Sequence, residues 1–274
     1  MTVEPIAVSP VWLAQRERAD AAARAPDLAD EVRRRLPDVG PVTVYDLGCG
    51  TGSMGRWLAP RLGVRQHWVL YDWDADLLLR AADAMPRACA EGAAVTTEVR
   101  RRDVSRLDAD DLAGAFLITA SALLDLMTAD ELTRCIKACA AAGCPVLFTL
   151  SVNGRVELEP RDPLDEVVAD AFNDHQRRTV GGRTLLGPDA VELAVEAFTE
   201  FGCDVLVRPS PWRLGAAEAA LAAEWFSEWV GAACEQRPEL AAAAGPYSRR
   251  RLSEATAGRL GVTLGHLDLL ALPR

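Results

Sequence analysis

Cationic side chains and histidines are scarce in this chain of 274 residues, and their scarcity excludes several classes of function. Thirty Lys and Arg residues stand against 40 Asp and Glu residues, which gives a formal net charge of −10. Nucleic-acid-binding proteins hold the phosphate backbone with clustered cations, so we expect no DNA partner, and RNA is disfavoured. The 3 histidines are far apart and the 7 cysteines form no C-x-x-C pair. We therefore expect free thiols and no metal site.

Long apolar runs are missing as well. Half of the residues are hydrophobic, but no uninterrupted stretch approaches the length of a membrane-spanning helix. The first residues show no charged segment followed by an apolar core. We therefore expect no membrane partner and a soluble, cytoplasmic protein. The composition easily fills the core of one α/β domain that carries insertions.

The most informative segment is a strand that runs into a glycine-rich turn. Residues 42–47 contain alternating β-branched and aromatic side chains, Gly48, Gly50 and Gly52 follow, and an apolar helix-forming stretch begins at Met54. Glycine lets the backbone approach a ligand closely where a side chain would block it. In this strand–turn–helix order, the segment predicts a nucleotide-type cofactor.

The spacing of the glycines separates two cofactor classes. Gly50, Gly52 and Gly55 match the dinucleotide pattern G-x-G-x-x-G, so an NAD-dependent oxidoreductase is one alternative, although no Tyr-x-x-x-Lys pair for hydride transfer appears. The fuller match is Asp-Leu-Gly-Cys-Gly-Thr-Gly at residues 46–52. It resembles the first motif of the class I S-adenosylmethionine-dependent methyltransferases, and the resemblance is specific over residues 42–150.

The resemblance implies cofactor ligands at the ends of successive strands. A second strand ends at Asp72, where an acid accepts hydrogen bonds from the ribose hydroxyls; the alternative is a solvated or helix-capping acid, and Asp74 competes for the ribose role. Asp103 follows the third strand and meets the adenine amino group, unless it belongs to a charged loop. The implied cofactor residues are Asp46, Gly48, Cys49, Gly50, Gly52, Asp72, Trp73, Asp103, Val104 and Ser121.

The predicted fold class is α/β, a Rossmann-like doubly wound sheet of seven strands. An antiparallel C-terminal strand at 263–272 completes the sheet, as the resemblance implies, and an N-terminal helical lid and helical insertions are added to it. We expect a single domain over residues 1–274. Its predicted parts are the lid at 1–40, the cofactor-binding core at 41–151, and insertions at 152–187 and 212–257 that form the substrate side.

Two arginines of the lid and an acid after the fourth strand are candidates for the reacting end of the site. Arg16 or Arg24 can pair with the methionine carboxylate as a fork donor, the alternative being that both are surface residues of an amphipathic helix. The resemblance also implies that Ser121 and Asp125 lie beneath the methionine portion and beside the transferred methyl group. Asp125 is therefore a catalytic candidate.

The two insertions supply candidates for the acceptor. On a predicted helix, His175 is our preferred general base because its unperturbed pKa lies near neutral pH, although a lone histidine can equally be exposed or structural. Asn173 and Gln176 lie near the same face and are substrate candidates. Trp225 and Trp229, four residues apart, share a helix face. They pack the insertion onto the sheet, form an apolar wall for an aromatic substrate, or form a homodimer contact.

The residues and the resemblance together predict S-adenosylmethionine-dependent methyl transfer to an oxygen, nitrogen or carbon atom of a small molecule, in secondary metabolism. S-adenosyl-L-methionine is the expected cofactor. No Asn/Asp-Pro-Pro-Tyr tetrapeptide follows the fourth strand, which argues against methylation of DNA bases. The alternatives are a non-catalytic cofactor-binding scaffold, an RNA methyltransferase and an NAD-dependent oxidoreductase.

Overall fold

Apolar strands alternate with helices along most of the chain. A computed structural model describes residues 8–37 and 40–274 of the protein. No helix in this part of the chain is long and apolar enough to cross a bilayer. The elements in chain order are α1 (Pro10–Ala23), α2 (Pro26–Arg33), β1 (Val42–Leu47), α3 (Ser53–Leu62), β2 (Gln66–Asp72), α4 (Ala75–Ala84), β3 (Val95–Arg101), β4 (Leu117–Ser121), α5 (Ala129–Ala141), β5 (Val146–Glu159), α6 (Leu164–Gln176), β6 (Thr179–Val180), β7 (Arg183–Thr184), α7 (Ala190–Glu200), β8 (Cys203–Pro209), β9 (Trp212–Leu214), α8 (Ala219–Gln236), α9 (Ala241–Thr256) and β10 (Gly261–Pro273).

The strands form one large sheet in the order β3-β2-β1-β4-β5-β10-β8. Strands β1 to β5 pair in parallel, whereas β10 lies antiparallel between β5 and β8. This confirms the Rossmann-like fold with an antiparallel C-terminal strand. The short strand β9 pairs with β10 and adds an eighth member, which the sequence analysis did not predict.

Alternation along each strand divides the core between the two faces of the sheet. Successive side chains of a strand point to opposite faces, so Val44 packs against α2, α3 and α4 while Tyr45 packs against α5 and α7. Residues 269 and 270 of β10 are divided in the same way. The carboxyl ends of the parallel strands consequently emerge at one edge, where a doubly wound sheet binds its ligands.

A third core lies beyond that edge and joins segments that the sequence analysis treated separately. Residues 152–159, predicted as the start of an insertion, continue β5 and pair with the first half of β10. Trp212, predicted in a helical region, lies on β9 because it pairs with Leu264. Helices α6 and α8 pack on this extended sheet and on each other, and α9 packs on α8. We call residues 152–187 and 212–264 the cap.

The close approach of β10 to β5 beneath the cap provides a test of the fold. A Cβ atom at Gly265 would lie 2.1 Å from Asn153 Oδ1 and 2.9 Å from Arg155 Cβ. We expect Gly265→Ala to lower the free energy of unfolding by about 1–3 kcal/mol, because the added methyl group overpacks the contact. Chemical denaturation followed by circular dichroism measures this change.

The matched control is Gly231→Ala, in the middle of α8, where an added Cβ meets nothing within 4 Å. Alanine is the better helix former, so this variant should gain roughly 0.5–1 kcal/mol. Equal stability of the Gly265→Ala variant and the wild type would contradict the tight packing of β10 on β5.

Candidate functional site

A cavity of about 900 Å³ opens where the parallel strands of the sheet end, between the glycine-rich turn and the cap. Ligand pockets in proteins usually measure about 300–1,000 Å³, so this one has room for two small molecules side by side. Gly48, Asp72 and Ser121, at or just after the ends of parallel strands, line it together with Phe172 and Trp225 of the cap.

The glycine-rich turn forms the first wall, and two of its glycines are required by geometry. Gly48 and Gly50 both have positive φ angles, of 64° and 55°, which side chains rarely adopt. An added Cβ at Gly48 would lie 3.0 Å from a methyl group of Leu123, and one at Gly50 would lie 3.2 Å from a methyl group of Leu13. The bare backbone thus keeps this wall open to a ligand. Cys49 also lines the cavity, whereas Gly52 does not. Gly52 is the N-cap residue of α3.

Asp72, at the end of β2, holds the turn in place. Its Oδ2 accepts a hydrogen bond from Gly50 N at 2.9 Å, and its Oδ1 accepts one from Asp74 N at 3.0 Å. Each carboxylate oxygen can accept a further bond, and the residue lines the cavity. Burial raises the pKa of Asp72, against the effect of these N–H groups. Asp74 instead caps α4.

Trp73, Asp103 and Val104 lie along the same wall of the cavity. Asp103 Oδ1 accepts hydrogen bonds from Ser105 N and Ser105 Oγ, at 3.0 and 2.7 Å, and its other oxygen lies 3.2 Å from Arg106 Nε. Asp103 therefore belongs to a charged loop, which was the alternative interpretation of its sequence, and it also lines the cavity. The two interpretations of Asp103 are compatible.

Asp46, at the end of β1, lies deep in the floor of the cavity. Its Oδ1 accepts a hydrogen bond from Thr119 Oγ1 at 2.7 Å, while its buried Oδ2 has no partner within the described residues. Burial raises the pKa of Asp46 to about 7, and the Thr119 hydroxyl and Arg24 oppose the shift. The carboxyl group is thus poised between its two protonation states near neutral pH.

The two candidate arginines of the N-terminal helices differ in where they lie. Arg16 lines the cavity, and its Nε donates to both carboxylate oxygens of Asp20, at 3.0 and 3.2 Å. Asp20 also accepts from Trp212 Nε1 at 3.0 Å, and the Arg16 guanidinium lies 4.9 Å from the centre of a Trp212 ring. In the part of the chain that the structure covers, Nη1 and Nη2 of Arg16 make no hydrogen bond, so they form a fork that is available to a ligand.

Arg24 does not line the cavity. It is buried below the floor, where its Nη2 donates to Ser53 Oγ at 3.1 Å and to Ser121 Oγ at 3.0 Å. Thr149 Oγ1 donates to the same serine hydroxyl at 3.0 Å. Because its guanidinium is held among these hydroxyls, Arg24 supports Ser121, which faces the cavity, and does not reach a ligand itself.

Asp125 lies where the carboxyl end of β4 meets the cap. Its carboxylate lines the cavity and, within residues 8–37 and 40–274, receives no hydrogen bond or ion pair from another side chain. Burial raises the pKa of Asp125, with its own backbone N–H and the charge of Arg16 opposing the shift. An acid of this kind takes up a proton more readily than a solvated one does.

The cap brings only some of the predicted acceptor residues to the cavity. Asn173 and Gln176 line it together with Phe172, and Asn173 Nδ2 donates to Gly154 O at 2.9 Å. His175 does not line it, since on a helix of 3.6 residues per turn it points away from the face that these three share. Its pKa is lowered by burial and by Arg178.

The two predicted tryptophans have different environments. Trp225 lines the cavity, while Trp229 lies behind it, fully buried, with its ring stacked on Trp225 at 5.2 Å between centroids. Trp229 therefore packs the cap core, and Trp225 alone presents a surface to a ligand. The interpretation as core packing therefore fits Trp229, and the interpretation as a wall for a ligand fits Trp225.

Several cavity residues were missed from the sequence. Trp12, Asp20, Trp212 and His266 line the cavity, and burial lowers the pKa of His266 to about 3, so its imidazole is neutral near pH 7. His266 lies two residues after Leu264 on β10. This spacing predicts that the two side chains share one face of the strand, but it gives no sign of a cavity beside that face. Its ring centroid lies 5.6 Å from that of Trp212.

Comparison with known proteins identifies the part of the chain that holds the glycine turn. Residues 44–145 match the family model described as a methyltransferase domain. We refer to residues 44–145 as the methyltransferase domain, after the family model that they match. No curated protein matches the sequence. The methyltransferase domain carries Asp46, Asp72, Asp103 and Asp125, whereas the cap and α1 lie outside the matched residues.

Several solved structures are similar to this chain at low sequence identity. The YcgJ protein of Bacillus subtilis is 9% identical, with 91% of this chain and 99% of that chain covered and a TM-score of 0.49. A SAM-dependent methyltransferase from Geobacter sulfurreducens, in complex with S-adenosyl-L-homocysteine, is 16% identical, with coverages of 97% and 99% and a TM-score of 0.45. The cyclopropane synthase MmaA2 of Mycobacterium tuberculosis is 14% identical, with coverages of 90% and 83% and a TM-score of 0.47. Likeness at this level carries no conclusion about the acceptor.

The raised pKa of Asp46 makes the stability of the methyltransferase domain depend on pH. Between its ordinary value of 3.8 and about 7, the native state holds a proton that the unfolded state has lost, so the free energy of unfolding falls as the pH rises through this window. We expect Asp46→Asn, which cannot ionise, to lose less stability than the wild type between about pH 5 and about pH 8, the difference being on the order of 2 kcal/mol.

Urea unfolding at the two pH values measures this difference. Asp83→Asn, at an exposed carboxylate of α4, is the matched control and should keep the pH dependence of the wild type. A parallel pH dependence in the Asp46→Asn variant and the wild type would show that Asp46 ionises normally.

Proposed function

We propose that the protein is an S-adenosylmethionine-dependent methyltransferase that acts on an oxygen, nitrogen or carbon atom of a small molecule. The observation that carries the proposal is a single cavity that runs from the glycine-rich turn of the methyltransferase domain to the aromatic residues of the cap. A cavity of this size suits a small acceptor. The net charge of −10 disfavours a nucleic acid.

The lining of the cavity suits the parts of this cofactor. Gly48 and Gly50 leave room for close approach to the backbone, Asp72 has acceptor capacity for the ribose hydroxyls, and Asp103 with Val104 supplies an acceptor and an apolar neighbour for the adenine. S-adenosylmethionine, when bound, supplies a methyl group that is already activated by its sulfonium. The residues of the chain then align the reactants and exclude water.

Arg16 is the proposed partner of the methionine carboxylate. Asp20 anchors its Nε and the residue lines the cavity, so the two Nη groups, without a hydrogen bond in the described part of the chain, can serve as a fork for a carboxylate. Leu13, one helical turn earlier on α1, is the side chain nearest to an added Cβ of Gly50. Helix α1 therefore lies against the glycine turn, and this contact supports the assignment of Arg16 over Arg24.

Ligand binding to Asp72 variants tests the cofactor assignment. Asp72→Ala should weaken binding of S-adenosylhomocysteine by roughly 1–3 kcal/mol, because charge-assisted bonds to the ribose and the bond that holds Gly50 are both lost. Asp74→Ala, which removes only the cap of α4, should cost about 1 kcal/mol of stability and leave affinity unchanged. Isothermal titration calorimetry with NAD in parallel measures both, and binding of NAD alone would overturn the proposal.

The role of Arg16 is tested with a pair of ligands. Arg16→Gln should weaken S-adenosylhomocysteine binding by about 10- to 100-fold, the loss expected for a charge-assisted fork, and should leave 5′-methylthioadenosine binding unchanged because that nucleoside has no carboxylate. Arg18→Gln, at an exposed position of the same helix, is the control. Equal losses for the two ligands would mean that Arg16 acts on the fold and not on the carboxylate.

We assign Asp125 as the general base for a methyl acceptor whose reacting atom must lose a proton. Asp125→Asn should lower turnover by about 10²–10⁴-fold, the usual contribution of a general base, with the affinity for S-adenosylhomocysteine nearly intact. His175→Ala should leave turnover near that of the wild type, since its side chain does not line the cavity. Steady-state kinetics on any active acceptor distinguishes them, and the reverse order of effects would restore His175 as the base.

A further inference from the structure

Four aromatic side chains from four separate elements line the cavity and belong to, or pack against, the apolar core of the cap. They are Trp12 of α1, Phe172 of α6, Trp212 of β9 and Trp225 of α8. Trp12 and Trp212 lie 6.5 Å apart between ring centroids, in a tilted arrangement. We call these four residues and His266 the aromatic chamber. Flat rings on several sides favour a planar, apolar ligand that stacks against them.

The polar groups of the aromatic chamber are balanced or uncharged. Trp212 Nε1 is satisfied by Asp20, which also neutralises Arg16. The low pKa of His266 keeps its ring neutral. Among the described residues that line this end, Asp125 is the one carboxylate without a side-chain partner. The chamber thus offers stacking surfaces, neutral hydrogen-bonding groups and a single proton acceptor.

Arg16 lies near Asp125 and His266 but is itself paired with Asp20. Its guanidinium is close enough to oppose the shift in the pKa of Asp125 and to add to the lowering of the pKa of His266. An anionic acceptor would be repelled by Asp125, and Arg16 is already paired with Asp20. A cationic acceptor would lose its hydration in exchange for a single ion pair with Asp125, and the desolvation cost of a buried ion can exceed the gain from such a pair.

We propose that the aromatic chamber binds an uncharged planar aromatic acceptor, with a hydroxyl group directed at Asp125. This inference rests on the proposed function and names its acceptor class, an aromatic or enolic alcohol. The chamber residues position the ring, and Asp125 is the group that meets the reacting hydroxyl.

The chemical step at this site balances as a displacement. A lone pair of the hydroxyl oxygen forms a bond to the methyl carbon, and the bond from that carbon to sulfur breaks with its electron pair remaining on sulfur. The sulfonium becomes a neutral thioether, and the hydroxyl proton passes to the Asp125 carboxylate. The products are a methyl ether, S-adenosylhomocysteine and a protonated carboxyl group.

The test compares three probes of the same shape that differ in charge. Wild-type protein saturated with S-adenosylhomocysteine is titrated with 2-naphthol, 2-naphthoate and 2-naphthylmethylammonium, with intrinsic tryptophan fluorescence as the signal. We expect 2-naphthol to bind at least tenfold more tightly than either ion. Tighter binding of the ammonium or the carboxylate, or no binding of any probe, would overturn the proposed acceptor class.

Variants locate the binding site. Phe172→Ala and Trp225→Phe should each weaken 2-naphthol binding by several-fold or more, while S-adenosylhomocysteine binding, measured first, reports that the variant has folded. Trp229→Phe, at the buried ring behind Trp225, is the control and should bind 2-naphthol like the wild type. Unchanged 2-naphthol affinity in both chamber variants would overturn the location.

Product analysis completes the test and separates the two levels of the argument. With S-adenosylmethionine present, the wild type should convert 2-naphthol to 2-methoxynaphthalene, and Asp125→Asn should bind 2-naphthol but turn it over at least 100-fold more slowly. If S-adenosylhomocysteine binds and no naphthalene probe does, only the acceptor inference fails. If S-adenosylhomocysteine does not bind to the wild type, the proposed function fails.

Discussion

The buried carboxylate of Asp268 connects three distant parts of the chain, and the shape of the cavity depends on it. Its Oδ2 accepts a hydrogen bond from Ala25 N and its Oδ1 accepts one from Leu150 N, each at 2.8 Å. One side chain on the last strand therefore connects the junction of the two N-terminal helices with Leu150, within β5. Leu150 has a φ angle of 56°, a conformation that a branched residue adopts only when its surroundings impose it. The bond from its N–H to Asp268 is such a constraint.

A second non-glycine residue in the left-handed region lies at the end of the neighbouring strand. Ala122 has a φ angle of 51°, and its N–H donates to Thr149 O at 2.9 Å. Both strained residues line the cavity. Strain of this kind costs on the order of 1–3 kcal/mol per residue and is typical of functional sites that the rest of the fold holds in place. The pair lies where β4 ends and where the adjoining part of β5 lines the cavity.

The sequence predicted the parts of the site that are encoded locally. A strand, a turn and a helix that follow one another leave a contiguous pattern, so the glycine turn and Asp72 were found, and Asp74 caps α4 in the way its position before a helix indicates. Contacts between distant residues leave no such pattern. Asp20 meets Trp212 across 192 positions, and Asp268 meets Ala25 across 243.

The histidines show why the acceptor side was harder to predict. His175 lies on a helix next to residues that line the cavity. Neighbouring residues of a helix point in different directions, so its side chain lies off the face that the lining residues share. His266 lies on a strand of mainly apolar residues, where alternation gives its face but cannot reveal that β9 and α1 complete a wall there. The unpredicted strand β9 is what brings Trp212 beside it.

The two sides of the proposed site come from different parts of the chain. The proposed cofactor side comes from the contiguous residues of the methyltransferase domain and α1, and the aromatic chamber comes from α1 and the separate segments of the cap. Substitutions in the cap can thus alter the acceptor surface without moving the glycine turn. Asp20 is the exception, because it holds Arg16 on one side and Trp212 on the other. A substitution of Asp20 would therefore alter both sides together, because cofactor recognition and acceptor recognition are not separable at this residue.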